Sequence, residues 1–470
     1  MTIRVPLARA RRRVRDVAHR VGPAAHLRGE LRLPGDKSIS HRALIFAAIA
    51  NGETLISGAG DGHDVRSTAG MMAALGASCE RLPAAPDDAP GTARWHVRSP
   101  GRRALAAHGD GRLDCGNSGT SARLGAGLVA GIHGVHTLDG DASLRRRPMA
   151  RVLEPLRAMG VEATGAPGER GEAAPLRIVG GTLKGGEWRS KTPSAQVKSC
   201  VLIAGLAASG STTYIESVTT RDHSERMLVA RGATINRTQG ADGSWSIRVQ
   251  GEAELRAIPQ VHVPGDPSSA AFWLVAASLH PDADLTIRGV SLNPTRRHVI
   301  EILRRMGASI EETPGPDDGS GEPVGDLRVR SADLHGVEIT PQDVALAIDE
   351  MPILSLAATM ARGATSIRGA GELRAKESDR IAGVADGLTR LGLTVRVDGD
   401  DLHFVGGERS KGGSPEVRGD HRLAMTFAVA ALVGDGAVEI DDAAAAAVSY
   451  PTFFDDAARV AGGAARGVSA

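Results

Sequence analysis

Apolar residues along this chain follow two alternating patterns. The first is a near-continuous run of aliphatic and small residues. It occurs as ALIFAAIA after Arg42, SARLGAGLVAG after Thr120, VKSCVLIAGLAASG after Gln196, AAFWLVAASL after Ser269, ILSLAATMARG after Pro352 and LAMTFAVAALVG after Arg422. A helix that is apolar on every side must be buried on every side, so these six runs predict central helices. The second pattern spaces apolar residues at i, i+3 and i+4, as in MMAALGAS (71–78), VLEPLRAMGVE (152–162), MLVARGAT (227–234), EILRRMGAS (301–309) and GLTRLGLT (387–394). These are amphipathic helices with one buried face, and the Gly after the last turn supplies a left-handed cap. Short β-branched strands follow both kinds of helix, among them ETLIS, STTYIES, LTIRG and AVEID, then INRTQ and LTVRV.

The first pattern recurs six times, about 70–80 residues apart, and the second follows it in five of the units, so the chain is an internal repeat. Six units exceed one core and suit two domains of three, an α/β architecture with sheets packed around central helices. Pro34-Gly35-Asp36 opens the first unit and Pro264-Gly265-Asp266 the fourth. Reading both as chain crossings assigns residues 35–264 to one domain, and 1–34 with 265–470 to the other. Stretches 81–112 and 312–326 are rich in Gly, Pro, Asp and Arg, lack apolar periodicity, and are expected to be surface loops.

Composition then removes whole classes. The chain has 470 residues, with 56 Lys and Arg against 55 Asp and Glu. That balance supplies no global attraction to nucleic acid or an anionic membrane. Aromatic residues are only 3%, too few for a base-stacking platform. No apolar run approaches the ~20 residues of a bilayer span. Three cysteines without a C-x-x-C pair make neither a disulfide framework nor structural zinc, which fits a reducing cytoplasm. Cys79, Cys115 and Cys200 are placed in helices or strands as inert, buried thiols. The Arg- and Ala-rich start, Arg4 to Arg20, lacks the apolar core of a secretory signal and reads as a solvated end.

Candidate chemistry concentrates where helices begin. Lys37, Ser38, Ser40 and Arg42 crowd one start, Asn117 to Thr120 a second, Ser194 and Gln196 a third, and His421-Arg422 a fourth. Ordinary capping explains Ser and Asn. It does not explain Lys and Arg in first turns, where the helix dipole disfavours cations, so these starts are read as anion sites. Arg145-Arg146-Arg147-Pro148, Arg221-Asp222-His223-Ser224 and Lys376-Glu377-Ser378-Asp379-Arg380 also precede helices. Asp349-Glu350 opens an apolar helix, either as a cap or as a general base. A P-loop is excluded because Asp36 separates Gly35 from Lys37, and no G-x-G-x-x-G follows a strand.

In order, LPGDKSISHRALIFAAIA, GNSGTSARL, RRRPMARVLEPLRAMG, SAQVKSCVLIAGL, RDHSERML, VPGDPSSAAF, IDEMPIL, RAKESDRI and DHRLAMTF resemble the 5-enolpyruvylshikimate-3-phosphate synthases, closest to the bacterial class II branch. The resemblance runs from about residue 28 to 456. It implies a two-domain enolpyruvyl transferase fold with three βαβαββ units per domain, closing over substrates at the interface. The implied reaction moves the carboxyvinyl group of phosphoenolpyruvate to the 5-hydroxyl of shikimate 3-phosphate through a tetrahedral ketal, releasing phosphate. No metal or organic cofactor, nucleic acid or membrane is implied, and a monomer is expected.

By resemblance, Lys37, Ser38, Arg42, Ser194, Ala195, Gln196, Arg221, Asp349 and Lys376 bind shikimate 3-phosphate. Lys37, Gly119, Arg147, Gln196, Arg380 and Arg422 surround phosphoenolpyruvate. Asp349 is the base for the 5-hydroxyl, and Glu377 protonates the methylene carbon unless Lys37 shares that role. Two departures stand out. Ala195 replaces the Ser of some members, leaving a main-chain contact. Val448 stands where some carry a Lys near the aromatic-Pro pair, here Tyr450-Pro451. Gly119 is the minimal residue at a position where a methyl group hinders glyphosate, so this inhibitor is expected to compete with phosphoenolpyruvate. The sister transferase on UDP-N-acetylglucosamine uses a mobile-loop cysteine and fits the KSISHR, KESDR and DHR phrases less well. A silent phosphate-binding scaffold is disfavoured by Lys37, Asp349 and Glu377.

Overall fold

The computed structural model describes residues 19–107 and 109–462. The solvated reading of the Arg-rich start lies outside these residues, except at His19 and Arg20, which open a strand. The six apolar runs form the helices Lys37–Ile49, Gly119–Ala130, Ala195–Gly205, Pro267–Leu279, Met351–Met360 and His421–Val433, each buried along most of its length. Side chains cap five of their N-termini. The Asp36 carboxylate accepts from Ile39 N–H at 2.9 Å, Ser118 from Ser121 at 3.0 Å and Asp420 from Arg422 at 2.9 Å, while Ser194 and Asp266 do the same for their helices. The amphipathic segments form His63–Ala74, Ala150–Ala158, His223–Ala230, His298–Arg305 and Arg380–Arg390.

Five sheets repeat one plan. A strand from the end of a unit lies parallel to a neighbouring edge strand, and two antiparallel strands complete the sheet. In the second unit, Arg112–Asp114 runs parallel to Gly134–Asp139, followed by Gly171–Gly180 and Glu162–Gly168. The parallel strands of the first and fourth units come from remote sequence. Gln260–His262 pairs with the first unit, and Leu27–Arg32 with the fourth. The sixth unit is shortened to Val438–Ile440, paired antiparallel with His19–Val21.

This exchange makes the chain cross twice at one place. Asp36 N–H donates to Pro264 O at 2.7 Å and Asp266 N–H to Pro34 O at 3.0 Å. Gly35 must be Gly, since a Cβ there would lie 1.9 Å from the Gly58 carbonyl oxygen. Among the described residues, the buried apolar side chains form two separate clusters. One draws on residues 39–263, the other on residues 21–33 and 270–461.

Three expectations need correction. The 81–112 stretch holds the strand Thr92–Pro100, paired antiparallel with both Ala50–Gly60 and Ser78–Leu82. Ala93, Trp95 and Val97 point inward while Arg94, His96 and Arg98 point outward or to the margin, an apolar period of two where none was expected. The 312–326 stretch holds parts of the strands Ser309–Pro314 and Val324–Arg330, and its Glu322 is buried. That carboxylate survives burial because Asn293 Nδ2 donates to it at 2.9 Å and His223 Nδ1 lies 2.8 Å away. Cys115 is in the turn before a helix rather than within an element. Its thiol is buried, and burial pushes the pKa of all three cysteines up to about 12.

Candidate active site

The charged side chains predicted for chemistry gather where the two clusters face each other. Asp349 stands in the short turn before Met351–Met360. Its carboxylate caps no helix and meets cations instead: Arg221 Nη2 donates at 2.6 Å, Lys376 Nζ at 3.4 Å, and Arg380 Nη1 lies at 3.6 Å. Arg422 Nη1 donates to the Asp349 carbonyl at 2.8 Å. Burial would raise the carboxyl pKa, but Lys376, Arg422, Arg221 and Arg380 together hold it well below the usual carboxylate range. Asp349 is therefore ionised and able to accept a proton.

Glu377 sits at the rim with Arg380 Nη2 donating to it at 2.7 Å. Its burial is outweighed by Arg380 and its pKa is lowered as well. Arg380 itself is fully buried and anchored by Asp420, whose Oδ2 accepts from Nε at 2.8 Å. One carboxylate thus fixes one edge of the guanidinium.

A second group lines the first cluster's side. Gln196 Oε1 accepts from Arg123 Nη1 at 2.6 Å, and its Nε2 donates to Thr120 Oγ1 at 3.0 Å. Arg147 donates to Asn117 Oδ1 at 2.6 Å, whereas Arg145 is spent on Asp139 at the surface. Of the three adjacent arginines, Arg147 is thereby the one that faces the site. Gly119 lies against both guanidiniums, and a Cβ there would meet Arg123 Nη1 at 3.0 Å and Arg147 Nη1 at 3.2 Å. Lys37 Nζ pairs with Asp64, whose carboxyl also feels Arg147.

The third group surrounds Arg42. Its guanidinium donates to Ser224 Oγ at 2.9 Å, Ser199 Oγ at 2.7 Å and the Ser38 carbonyl at 2.9 Å, with no carboxylate among these partners. Burial pulls its pKa down to about 10. Ser199 Oγ in turn donates to the Ala195 carbonyl at 2.7 Å, next to Ser194. A buried guanidinium held only by hydroxyls and carbonyls keeps its charge available for an anion.

Ser38, Arg42, Ser194, Ala195, Gln196, Arg147, Gly119, Lys37, Arg221, Asp349, Lys376, Glu377, Arg380 and Arg422 thus fall into three adjoining groups, with Arg221 close enough to influence Arg42 electrostatically. Val448 lies beside Lys37 and Asp64 in a small cleft with Gly62, adding no charge there. Sequence reasoning passed over Arg123 and Asp64. A lone cation one turn into an apolar helix was the available signal for Arg123. Asp64, an acid in the first turn of His63–Ala74, carries no signal beyond the ordinary preference of helix starts for acids.

Residues 21–457 match the family model described as EPSP synthase, 3-phosphoshikimate 1-carboxyvinyltransferase. The chain is 49% identical over 436 residues to the 3-phosphoshikimate 1-carboxyvinyltransferase of Synechococcus sp. strain RCC307, covering 92% of this chain and 97% of the relative. It is 48% identical to the enzyme of that name from Gloeobacter violaceus, over 94% of this chain and 99% of that one. A solved EPSP synthase from Acinetobacter baumannii superposes with a TM-score of 0.81 at 38% identity, covering 94% of this chain and 98% of that one. The enolpyruvyl transferase NikO from Streptomyces tendae, 18% identical, shares the fold with a TM-score of 0.71, over 95% and 97% of the two chains.

Proposed function

The chain belongs to the EPSP synthase family, and from that membership we infer its reaction and the work of each side chain. It transfers the carboxyvinyl group of phosphoenolpyruvate to the 5-hydroxyl of shikimate 3-phosphate and releases phosphate, a step of aromatic amino acid biosynthesis. The observation that carries the reading is the Asp349 carboxylate, ringed by Arg221, Lys376, Arg380 and Arg422.

Two substrates with phosphate and carboxylate groups require several cations in one cleft. Arg42, Arg221, Ser38, Ser194, Gln196 and the backbone at Ala195 are assigned to shikimate 3-phosphate. Lys37, Arg147, Arg380, Arg422 and Gln196 are assigned to phosphoenolpyruvate, with Gly119 leaving room for it. A phosphate taking Arg221 draws that cation away from Asp349 and raises the proton affinity of the carboxylate as the base is needed. Asp349 then accepts the 5-hydroxyl proton while Lys376 orients the hydroxyl. The alkoxide oxygen bonds to C2 of phosphoenolpyruvate as C3 takes a proton, giving a tetrahedral ketal that still carries phosphate. Loss of a C3 proton and of phosphate restores the vinyl group on the new ether.

Glu377 is assigned as the acid for C3. An anion on Arg380 would compete with Glu377 for that guanidinium and return the carboxyl toward a protonatable range. Lys37 is the other group able to give the proton. The division into 35–264, and 1–34 with 265–470, is proposed as the pair of closing bodies, supported by two separate apolar clusters and the paired crossings. A cytoplasmic monomer without a cofactor completes the proposal. The test is phosphate release by wild type, Asp349→Asn and Glu377→Gln with both substrates. Two folded, inactive variants beside an active wild type are expected, and a fully active Asp349→Asn contradicts the assignment.

A further inference from the structure

Among the described residues outside the substrate contacts, a dense buried charge cluster lies at the double crossing. Arg296 is nearly inaccessible, yet three carboxylates share its guanidinium. Nη2 lies 2.9 Å from Asp266 Oδ1 and 3.4 Å from Asp36 Oδ2, and Nη1 lies 3.7 Å from Glu350 Oε1. Nη2 also donates to Ser268 Oγ at 2.9 Å, and Ser268 donates to Glu350. Three buried carboxylates on one cation are tolerable here because two of them, Asp36 and Asp266, also cap helix N-termini.

Each of these acids adjoins a group used by the reaction. Asp36 immediately precedes Lys37, and Glu350 immediately follows Asp349. Asp266 accepts from the Lys37 backbone N–H through Oδ2 at 3.3 Å and feels the charge of Arg422. Lys37 belongs to the first cluster's side and Asp349 to the second's. One guanidinium therefore stands between the main-chain anchors of both.

We propose that Arg296 is a positioning residue for the transfer reaction, bracing Asp36 and Asp266 at the crossings against Glu350 so that Lys37 and Asp349 are held in one frame. The proposal rests on the roles inferred above for Lys37 and Asp349. Its physical basis is that a small misplacement of reacting groups, even when caused at a distance, costs turnover more than it costs binding. A guanidinium suits the task because its planar fork reaches several oxygens in fixed directions, which an ammonium does not.

The test compares wild type, Glu350→Gln, Arg296→Lys and Arg296→Met by thermal unfolding and by steady-state phosphate release with phosphoenolpyruvate and shikimate 3-phosphate. The expected result is cooperative unfolding with kcat lowered about 10- to 100-fold. KM for each substrate should stay within about threefold, and Arg296→Lys should keep more activity than Arg296→Met. Folded variants whose kcat stays within about twofold of wild type, or whose loss is confined to KM, overturn the proposal. Should the Arg296 variants fail to fold, Glu350→Gln decides alone on the same criteria, since it keeps the shape of the side chain and removes only its charge. A wild type that releases no phosphate is a different failure, and overturns the functional reading together with this inference.

Discussion

Arg221 and Asp349 meet at 2.6 Å although 128 residues separate them, joining the segment before His223–Ala230 to the turn before Met351–Met360. One member of this pair is assigned to the substrate phosphate and the other to the hydroxyl it activates. The ion pair therefore couples binding to chemistry: whatever anion captures Arg221 changes the basicity of Asp349.

Removing the cation should affect one substrate selectively. A charge-assisted contact is worth about 1.5–3 kcal/mol, so Arg221→Met should raise KM for shikimate 3-phosphate about 10- to 150-fold. KM for phosphoenolpyruvate should change far less. Steady-state kinetics with each substrate varied in turn checks this, and equal increases for both would contradict the assignment.

Removing the carboxylate should separate binding from turnover. Asp349→Asn deletes a base, a change typically costing about 10²- to 10⁴-fold in kcat. It also frees Arg221 and Lys376 from a competing anion, so calorimetry should show shikimate 3-phosphate binding as well as to wild type or more tightly. Weaker binding alongside full turnover would reverse the roles.

Gly119 is hemmed in by Arg123 and Arg147 at 3.0 and 3.2 Å from where a Cβ would lie. Gly119→Ala should displace one guanidinium by a few tenths of an ångström. The expected result is a higher KM for phosphoenolpyruvate and weaker inhibition by glyphosate, which is expected to compete with phosphoenolpyruvate in wild type. An inhibition assay showing no effect of millimolar glyphosate on wild type would sink this prediction.

Acid stability follows from His41, fully buried with Nδ1 2.7 Å from Thr68 Oγ1. Burial lowers its pKa to about 3, so it stays neutral in the folded protein while the unfolded chain binds a proton below the ordinary value of 6.5. Its contribution is complete above pH 6.5 and is lost as pH falls toward 3. The slope is about 1.4 kcal/mol per pH unit for one such group. His41→Gln should flatten the fall of Tm between about pH 6.5 and 4.5 relative to wild type. His421, also shifted to about 3, keeps part of the slope in that variant.

Much of the fold was legible because its helices obey simple spacing. Runs such as ALIFAAIA can only be central, and capping Asp and Ser residues mark where they start. Strand Thr92–Pro100 escaped because Ala93, Trp95 and Val97 are only three alternating apolar positions within a stretch rich in Gly, Pro, Asp and Arg, and Glu322 escaped because a buried acid is recognised only once Asn293 and His223 are seen beside it. Within the site, Arg147 could not be told from Arg145 and Arg146 until Asn117 and Asp139 divided them. Arg296 carried no spacing signal at all, since its partners Asp36, Asp266 and Glu350 are brought together only by the double crossing.

The most direct test is phosphate release from phosphoenolpyruvate by the purified protein, with shikimate 3-phosphate and UDP-N-acetylglucosamine offered in parallel. Release with shikimate 3-phosphate alone is the predicted result. Release with the nucleotide sugar alone, or with neither acceptor from folded protein, would contradict the account.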